Sequence, residues 1–410
     1  MELYYSFSIL IVLAAVFAYI NGRFLKLPST IGVMLIAMLA SIVLVVSGSL
    51  FPKTFSAFSH LLEEIDFTEI LMGAMLNFLL FAGAVHIHLN DLREQRTPIV
   101  VFSTLSVVLS TVVVGGLLYL IFPFIYKEIP LVYCLLFGAL ISPTDPVAVL
   151  GILKSANVSK SLETKVAGES LFNDGVAVVV FAVLLQVAQG SDADLTVWNV
   201  SWLFIKEALG GLLVGLLIGW LVSKALQKID DYKIAVLMTL AAVMGGYLVA
   251  RGMHISGPLT MVASGLVIGN YGKKTAMSET TIDYLEKFWE LLDEILNAIL
   301  FLFIGFELLL IENLSSYWLV GLVGIIVVLI ARFLSIWIPT KVIPFKNKFS
   351  ASTIKLLVWG GLRGGVSIAL ALSVDPGPHK NFMLAITYIV VIFSIVVQGL
   401  TIGKVARHLQ

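Results

Sequence analysis

The chain has 410 residues, 59% of them apolar and 13% charged, with 26 basic and 26 acidic side chains and a formal net charge of zero. Soluble domains carry about 25% charge, so at a mean hydropathy of +1.01 most of this sequence belongs in lipid, and the balanced charge speaks against nucleic-acid binding. Its one cysteine, Cys134, excludes an internal disulfide and any cysteine-based metal site.

A membrane-spanning helix takes about 17–25 apolar residues. By that measure the sequence predicts thirteen spans, near 3–20, 30–50, 68–88, 98–122, 131–153, 164–188, 201–221, 232–250, 256–271, 285–311, 315–340, 352–373 and 381–401. The first run, after Met-Glu-Leu-Tyr-Tyr, has no basic stretch before it, so no cleaved signal is expected. No extramembrane domain is expected at either end. The odd-numbered connections and the C-terminus hold 17 lysines and arginines, against 5 on the opposite side. Basic connections stay in the cytoplasm. The expectation is therefore a multi-pass protein of the cell (inner) membrane, with the N-terminus outside, the C-terminus cytoplasmic and an odd number of spans.

Two spans are broken. The fifth contains Ser142-Pro143-Thr144-Asp145-Pro146, where each proline removes a donor and pushes its predecessor out of the α region. The twelfth contains Trp359-Gly360-Gly361-Leu362-Arg363-Gly364-Gly365. Irregular backbone at membrane depth is tolerated only inside protein or along a cavity. The two breaks are seven spans apart, and an odd offset reverses direction across the membrane. The fold class expected is an all-α polytopic membrane protein built of two inverted repeats, about 1–190 and 230–410, joined by a linker helix at about 201–223. Paired interrupted helices mark the binding site of a secondary transporter.

The sixth span opens with Gly168-Glu169-Ser170-Leu171-Phe172-Asn173-Asp174-Gly175. Helical spacing puts Ser170 and Asp174 on one face and Glu169 with Asn173 on the adjacent one. Asp145, Asp174, Arg332 and Arg363 lie where lipid cannot solvate them, with Glu169 nearer a span end. Three acids against two bases leave one negative charge uncompensated, so a proton or a cation must fill the vacancy. Asp174 is the candidate carrier, with Ser170 an oxygen on its own face and Asp145 and Thr144 as further ligands; Na⁺, a hard cation, suits such a set. Arg332, alone in its apolar run, predicts an ion pair with Glu169. Arg363 balances either Asp145 or the ends of the half-helices.

The pattern favours alternating-access exchange of a cation for a proton. A channel or uniporter would need a continuous polar pore. An intramembrane aspartic enzyme would need a Gly-x-Gly-Asp pattern that neither aspartate carries, so no enzyme is expected. A symporter for an organic solute would need aromatics or amides around the acids. His86 and His88, two apart, read as a span-end pair meeting water. Gly211, Gly215 and Gly219 read as a packing stripe. The acidic run from Asp283 to Glu294 reads as an interfacial helix entering the tenth span or as a cation funnel.

At 140–150, 168–174, 301–307, Arg332 and 360–365 the sequence resembles the cation:proton antiporters of the NhaP/NHE type. The segments that carry the likeness are Thr-Asp-Pro, Gly-Glu-Ser-x-x-Asn-Asp, Phe-Ile-Gly-Phe-Glu and Gly-Gly-Leu-Arg-Gly-Gly. The resemblance implies a homodimer of thirteen-span protomers in membrane lipid, each with a dimerisation domain and a six-helix core moving like an elevator. It implies Asp174 as the ion- and proton-binding carboxylate, Asn173 as its neighbour, Thr144, Asp145 and Ser170 as ligands or water-mediated ligands, and Glu169–Arg332 as a stabilising pair. No cofactor is implied beyond the transported ions, Na⁺ and H⁺ with Li⁺ or K⁺ as alternatives. An Asn-Asp pair implies electroneutral exchange, one cation per proton. In one departure, similar antiporters often carry an acid in the third span where this chain has Ala82. Asn77, five residues earlier, is the polar residue placed to lend an amide oxygen there. A K⁺/H⁺ antiporter of the same fold is the alternative.

Overall fold

A computed structural model of the chain describes residues 2–47, 70–146, 149–151, 153, 158–189, 197–306, 314–346, 348–375, 377 and 379–409. All regular structure among them is helical, and the longer helices follow the order of the expected spans. These are α1 (Glu2–Ile20), α2 (Ser29–Ser47), α3 (Leu76–Val85), α4 (Leu105–Ile125), α5 (Leu131–Leu140), α6 (Lys160–Ala188) and α7 (Val197–Leu226). They continue as α8 (Tyr232–Gly252), α9 (Gly257–Val267), α10 (Glu279–Phe306), α11 (Trp318–Val342), the halves α12a (Ala351–Trp359) and α12b (Gly365–Leu372), and α13 (Lys380–Phe393). The ends of the expected second and tenth spans, the start of the third and parts of the fifth lie outside the described residues, as does Glu307. The fourth span divides at Thr104, after a short helix Arg96–Ser103.

The helices are inside-out relative to those of a soluble protein. On α11 an exposed stripe of Leu319, Leu322, Ile326, Ile330, Phe333 and Trp337 repeats every three or four residues, while Gly324, Val328, Ala331, Arg332 and Ser335 are buried. An apolar stripe facing out is what a helix shows when its solvent is lipid. The glycine stripe of α7 lies on α9: a Cβ at Gly211 would sit 2.6 Å from the Ser256 carbonyl oxygen and one at Gly219 2.9 Å from that of Ser264. Close approach through small residues is the usual glue between helices in lipid.

Packing pairs recur seven helices apart. The α2–α10 contact has its counterpart in α9–α3, α1–α2 in α8–α9, α4–α5 in α11–α12a and α5–α6 in α12b–α13, while α4 packs on α11. The acidic run belongs to α10, one continuous helix of 28 residues. Trp289, fully buried, fixes its rotation: the indole lies 4.5 Å from the Phe81 ring of α3 and donates to Thr239 Oγ1 of α8 at 3.1 Å. That orientation turns the acids of the next two turns toward the interior face shared with α3.

Candidate functional site

Helix α5 stops at Leu140 and α12 is interrupted at 360–364. The two non-helical stretches cross, joined where the Asp145 amide donates to the Leu362 carbonyl at 2.8 Å. Each break carries the charge its partner's helix end requires. The Arg363 guanidinium donates through Nη1 to the carbonyls of Ser142 and of Pro143, the latter at 3.0 Å, beyond the C-terminal end of α5. The Asp145 carboxylate lies against the N-terminal end of α12b, where a Cβ at Gly364 would come within 2.5 Å of Asp145 Oδ2. Cations suit helix C-termini and anions N-termini, and the guanidinium of Arg363 lies at such a helix end.

A support not foreseen from the sequence lies on α13. Below Phe393 the helix widens into a π-turn, Ser394–Gln398. Ser394 Oγ accepts from the Arg363 amide at 2.8 Å and donates to Gln398 Oε1, whose own amide donates to the Trp359 carbonyl at 3.1 Å. These side chains satisfy backbone groups that the break in α12 sets free, which inside a membrane have no water to turn to.

The polar start of α6 is divided among three neighbours. Asn173 Nδ2 donates to Thr144 Oγ1 at 2.8 Å, and Thr144 Oγ1 meets Ser170 Oγ at 2.9 Å. Both hydroxyls and the amide are buried. Ser170 and Asn173 therefore hold Thr144 in place from behind; neither is on the wall of the cavity that Thr144 faces. The 40° offset between positions four apart on a helix turns the Ser170 hydroxyl to Thr144 of the α5 break. Glu169 points away from all of these. Its Oε1 lies 2.5 Å from Arg332 Nη1, and Arg332 Nη2 donates to the Leu357 carbonyl near the end of α12a at 3.1 Å. Gly361 leaves room for that guanidinium, since a Cβ there would lie 2.5 Å from Arg332 Nε.

Asp174 is left over. It is buried to 7% exposure, and among the described residues its carboxylate accepts no hydrogen bond and pairs with no base. It lines a cavity of about 730 Å³ together with Thr144 and Asp145. Ala82 and Gly83 of α3 form part of the wall and offer no ligand. The facing wall, from α10, brings Glu290, Asp293, Glu294 and Asn297 to the same space. The rim is formed by His86, His88, Asp91 and Lys160, the last two paired at 3.0 Å. His86 sets its two ring nitrogens against the carbonyl oxygens of Ala82 at 2.7 Å and Glu286 at 3.3 Å, a structural role at the end of α3. Asn77 is not on the cavity wall: its amide nitrogen donates to the Met72 and Gly73 carbonyls in the turn before α3, at 3.2 and 3.0 Å. The amide oxygen, Asn77 Oδ1, is buried without a hydrogen-bond partner among the described residues.

Two carboxylates and a hydroxyl around one cavity are hard oxygen donors suited to a small alkali cation. Carboxylates also take up protons, so the same groups are chemically able to hold either ion.

A family model described as sodium/hydrogen exchanger, transmembrane, matches residues 11–408. The chain is 47% identical to the Na(+)/H(+) antiporter NhaP of Pseudomonas aeruginosa, covering 97% of this chain and 95% of that one. It is 33% identical to the Na(+)/H(+) antiporter NhaH of Halobacillus aidingensis, over 95% and 93% of the two chains. In three dimensions it is similar to the sodium proton antiporter MjNhaP1 from Methanocaldococcus jannaschii, with a TM-score of 0.79 at 20% identity, over 100% of this chain and 99% of that one.

Proposed function

The chain belongs to the sodium/hydrogen exchanger family, and we propose that it exchanges Na⁺ for H⁺ through a single contested carboxylate, Asp174. It is a membrane transporter and not an enzyme. The observation that carries the assignment is the unpaired, buried carboxylate of Asp174 in a cavity shared with Thr144 and Asp145. Leaving a charge there uncompensated is too costly, so the site holds either a proton or a cation. Thr144, kept in place by Ser170 and Asn173, and Asp145, set against α12b, supply the further oxygens of the Na⁺ site.

Exchange follows from alternating access. The cavity opens at the ends of α3 and α6, on the side richer in lysine and arginine. With that side in the cytoplasm, the protein faces inward, the N-terminus lies outside and the C-terminus is cytoplasmic. The packing pairs repeated seven helices apart support two inverted repeats, one before and one after α7. Rocking or sliding of one set of helices against the other would carry the crossed breaks from one face to the other. Since one carboxylate is neutralised by one cation or one proton, the exchange is electroneutral. The motif resemblance carries with it a homodimer in the cell membrane.

Proteoliposomes with a trapped pH dye test this reading. Added Na⁺ moves protons, and clamping the voltage with valinomycin and K⁺ leaves the initial rate unchanged. A rate that follows the clamped voltage overturns the one-for-one exchange. A response to K⁺ but not to Na⁺ overturns the choice of cation.

The acids of α10 serve as the approach to the site, the funnel reading of the acidic run. Asp293→Asn is expected to raise the apparent KM for Na⁺ by about two- to fivefold with the maximal rate kept, since charge near a cleft raises the local cation concentration. The effect shrinks when ionic strength is raised with choline chloride. A loss of maximal rate instead would make Asp293 a ligand.

A further inference from the structure

A second cavity, of about 710 Å³, lies where the α3–α4 connection, the start of α6 and the α11–α12 connection meet. Its wall holds four cations, Arg93, Arg96, Lys165 and Lys346, against one acid, Glu94. None of the four forms an ion pair among the described residues. Three separate segments thus bring like charges to one space, three of them on exposed side chains, and an anion there would relieve their mutual repulsion. One side is rigid. Lys165 is half-buried with its ammonium 5.1 Å from the centre of the Phe349 ring, and Phe349 packs edge-on against Phe345 and Phe102. Arginine forks beside ammonium groups are the donor set that recognises a phosphate.

The position narrows the source of that phosphate. The cavity sits at the membrane end of the helices, on the same basic-rich side as the rim of the Asp174 cavity. The helix that begins at Arg96 leads into exposed apolar side chains, Val100, Leu105, Val108 and Val112, which form a path for acyl chains. We propose that this cavity binds the phosphate headgroup of an anionic membrane lipid, which braces the α11–α12 connection against α6. Lys165 stands nine residues before Asp174 on α6, and the α11–α12 connection leads into the break at 360–364. The lipid thus bridges the two elements that build the ion site. A soluble phosphate has the same chemistry at its oxygens but no use for the apolar path.

The test is binding to the full-length protein in detergent, followed by native mass spectrometry during titration with phosphatidylglycerol, phosphatidylcholine and inorganic phosphate. Wild type is expected to hold about one phosphatidylglycerol per protomer in preference to phosphatidylcholine. Three cations at about a fivefold contribution each predict roughly 100-fold weaker binding in R93Q/R96Q/K346Q. The single variant Lys346→Gln, at an exposed position, keeps the test open if the triple variant does not fold, and it should weaken binding about fivefold. Equal retention of phosphatidylglycerol by wild type and variants overturns the site. Inorganic phosphate displacing the lipid at equal concentration overturns the lipid as its ligand. Because the readout is binding, it stands or falls separately from the role of Asp174.

Discussion

Asp174→Asn is expected to abolish sodium-driven proton movement, lowering the rate by at least about 100-fold, while the protein still folds and inserts. Both halves follow from the same geometry. The carboxylate makes no hydrogen bond and no ion pair among the described residues, so an amide of the same shape breaks nothing. It also removes a buried charge, which costs nothing and is expected to leave thermal stability unchanged or raised. Function has no such tolerance, because an amide neither binds a proton near neutral pH nor neutralises a cation. In wild type the two ions compete, so when the site is mostly protonated each pH unit downward raises the apparent KM for Na⁺ about tenfold with the maximal rate unchanged, cation binding being a release of a proton. The initial rate of dye response against Na⁺ concentration, at three pH values, with the melting temperature of each variant in detergent, measures all of this. Full activity in Asp174→Asn would move the carrier to Asp145.

The parts of this site that depend on charge and chain covalency were legible in the sequence. Pro143 and Pro146 cannot continue a helix whatever surrounds them, and a lone Arg332 in lipid needs an acid on any fold. What depended on rotation and clearance was not. Ser170 is on the predicted face of α6, yet its hydroxyl serves Thr144, because the path of the unwound stretch after α5 is set by Arg363 and Leu362 of a helix more than 200 residues away. The glycines of the α12 break read as helix breakers; two of them, Gly361 and Gly364, are also the clearance for Arg332 and Asp145. Asp293 and Asn297 face the cavity because Trp289 is locked between α3 and α8, a tertiary contact with no local signal. The Ser394–Gln398 support left no trace either, as one serine and one glutamine in an apolar span look like ordinary polar exceptions.

The two arginines have different tasks, and separating them explains why the site keeps so many charges in lipid. Arg363 spends its donors on backbone carbonyls at the end of α5, and so compensates a helix end. Arg332 spends one group on Glu169 and another on the Leu357 carbonyl, and so ties α6, α11 and α12a together. With Arg332 committed to Glu169, and Arg363 to α5, no base among the described residues pairs with Asp174. On the proposed mechanism its charge is left for the transported ion because the structural charges are already matched.

Arg332→Met is therefore expected to be the most destabilising single change in the core. It leaves Glu169, at 2% exposure, as a buried carboxylate without a partner, and removing one partner of a buried pair costs about 3–5 kcal/mol. Glu169→Leu alone is expected to cost a similar amount by stranding the guanidinium, whose Nε already lacks a partner. The double variant, Glu169→Leu with Arg332→Met, strands neither charge, and apolar replacement of a whole buried pair is often neutral. It should recover most of the loss, less about 1 kcal/mol for the missing bond to Leu357. A double-mutant cycle on melting temperatures in detergent reads the coupling directly. Sodium-driven exchange should return with the double variant, since neither residue lines the cavity of Asp174. If the double variant is as unstable as Arg332→Met, the tie to Leu357 rather than the ion pair holds these helices. If stability returns without exchange, Glu169 or Arg332 belongs to the transport machinery and the separation of structural from transporting charges fails.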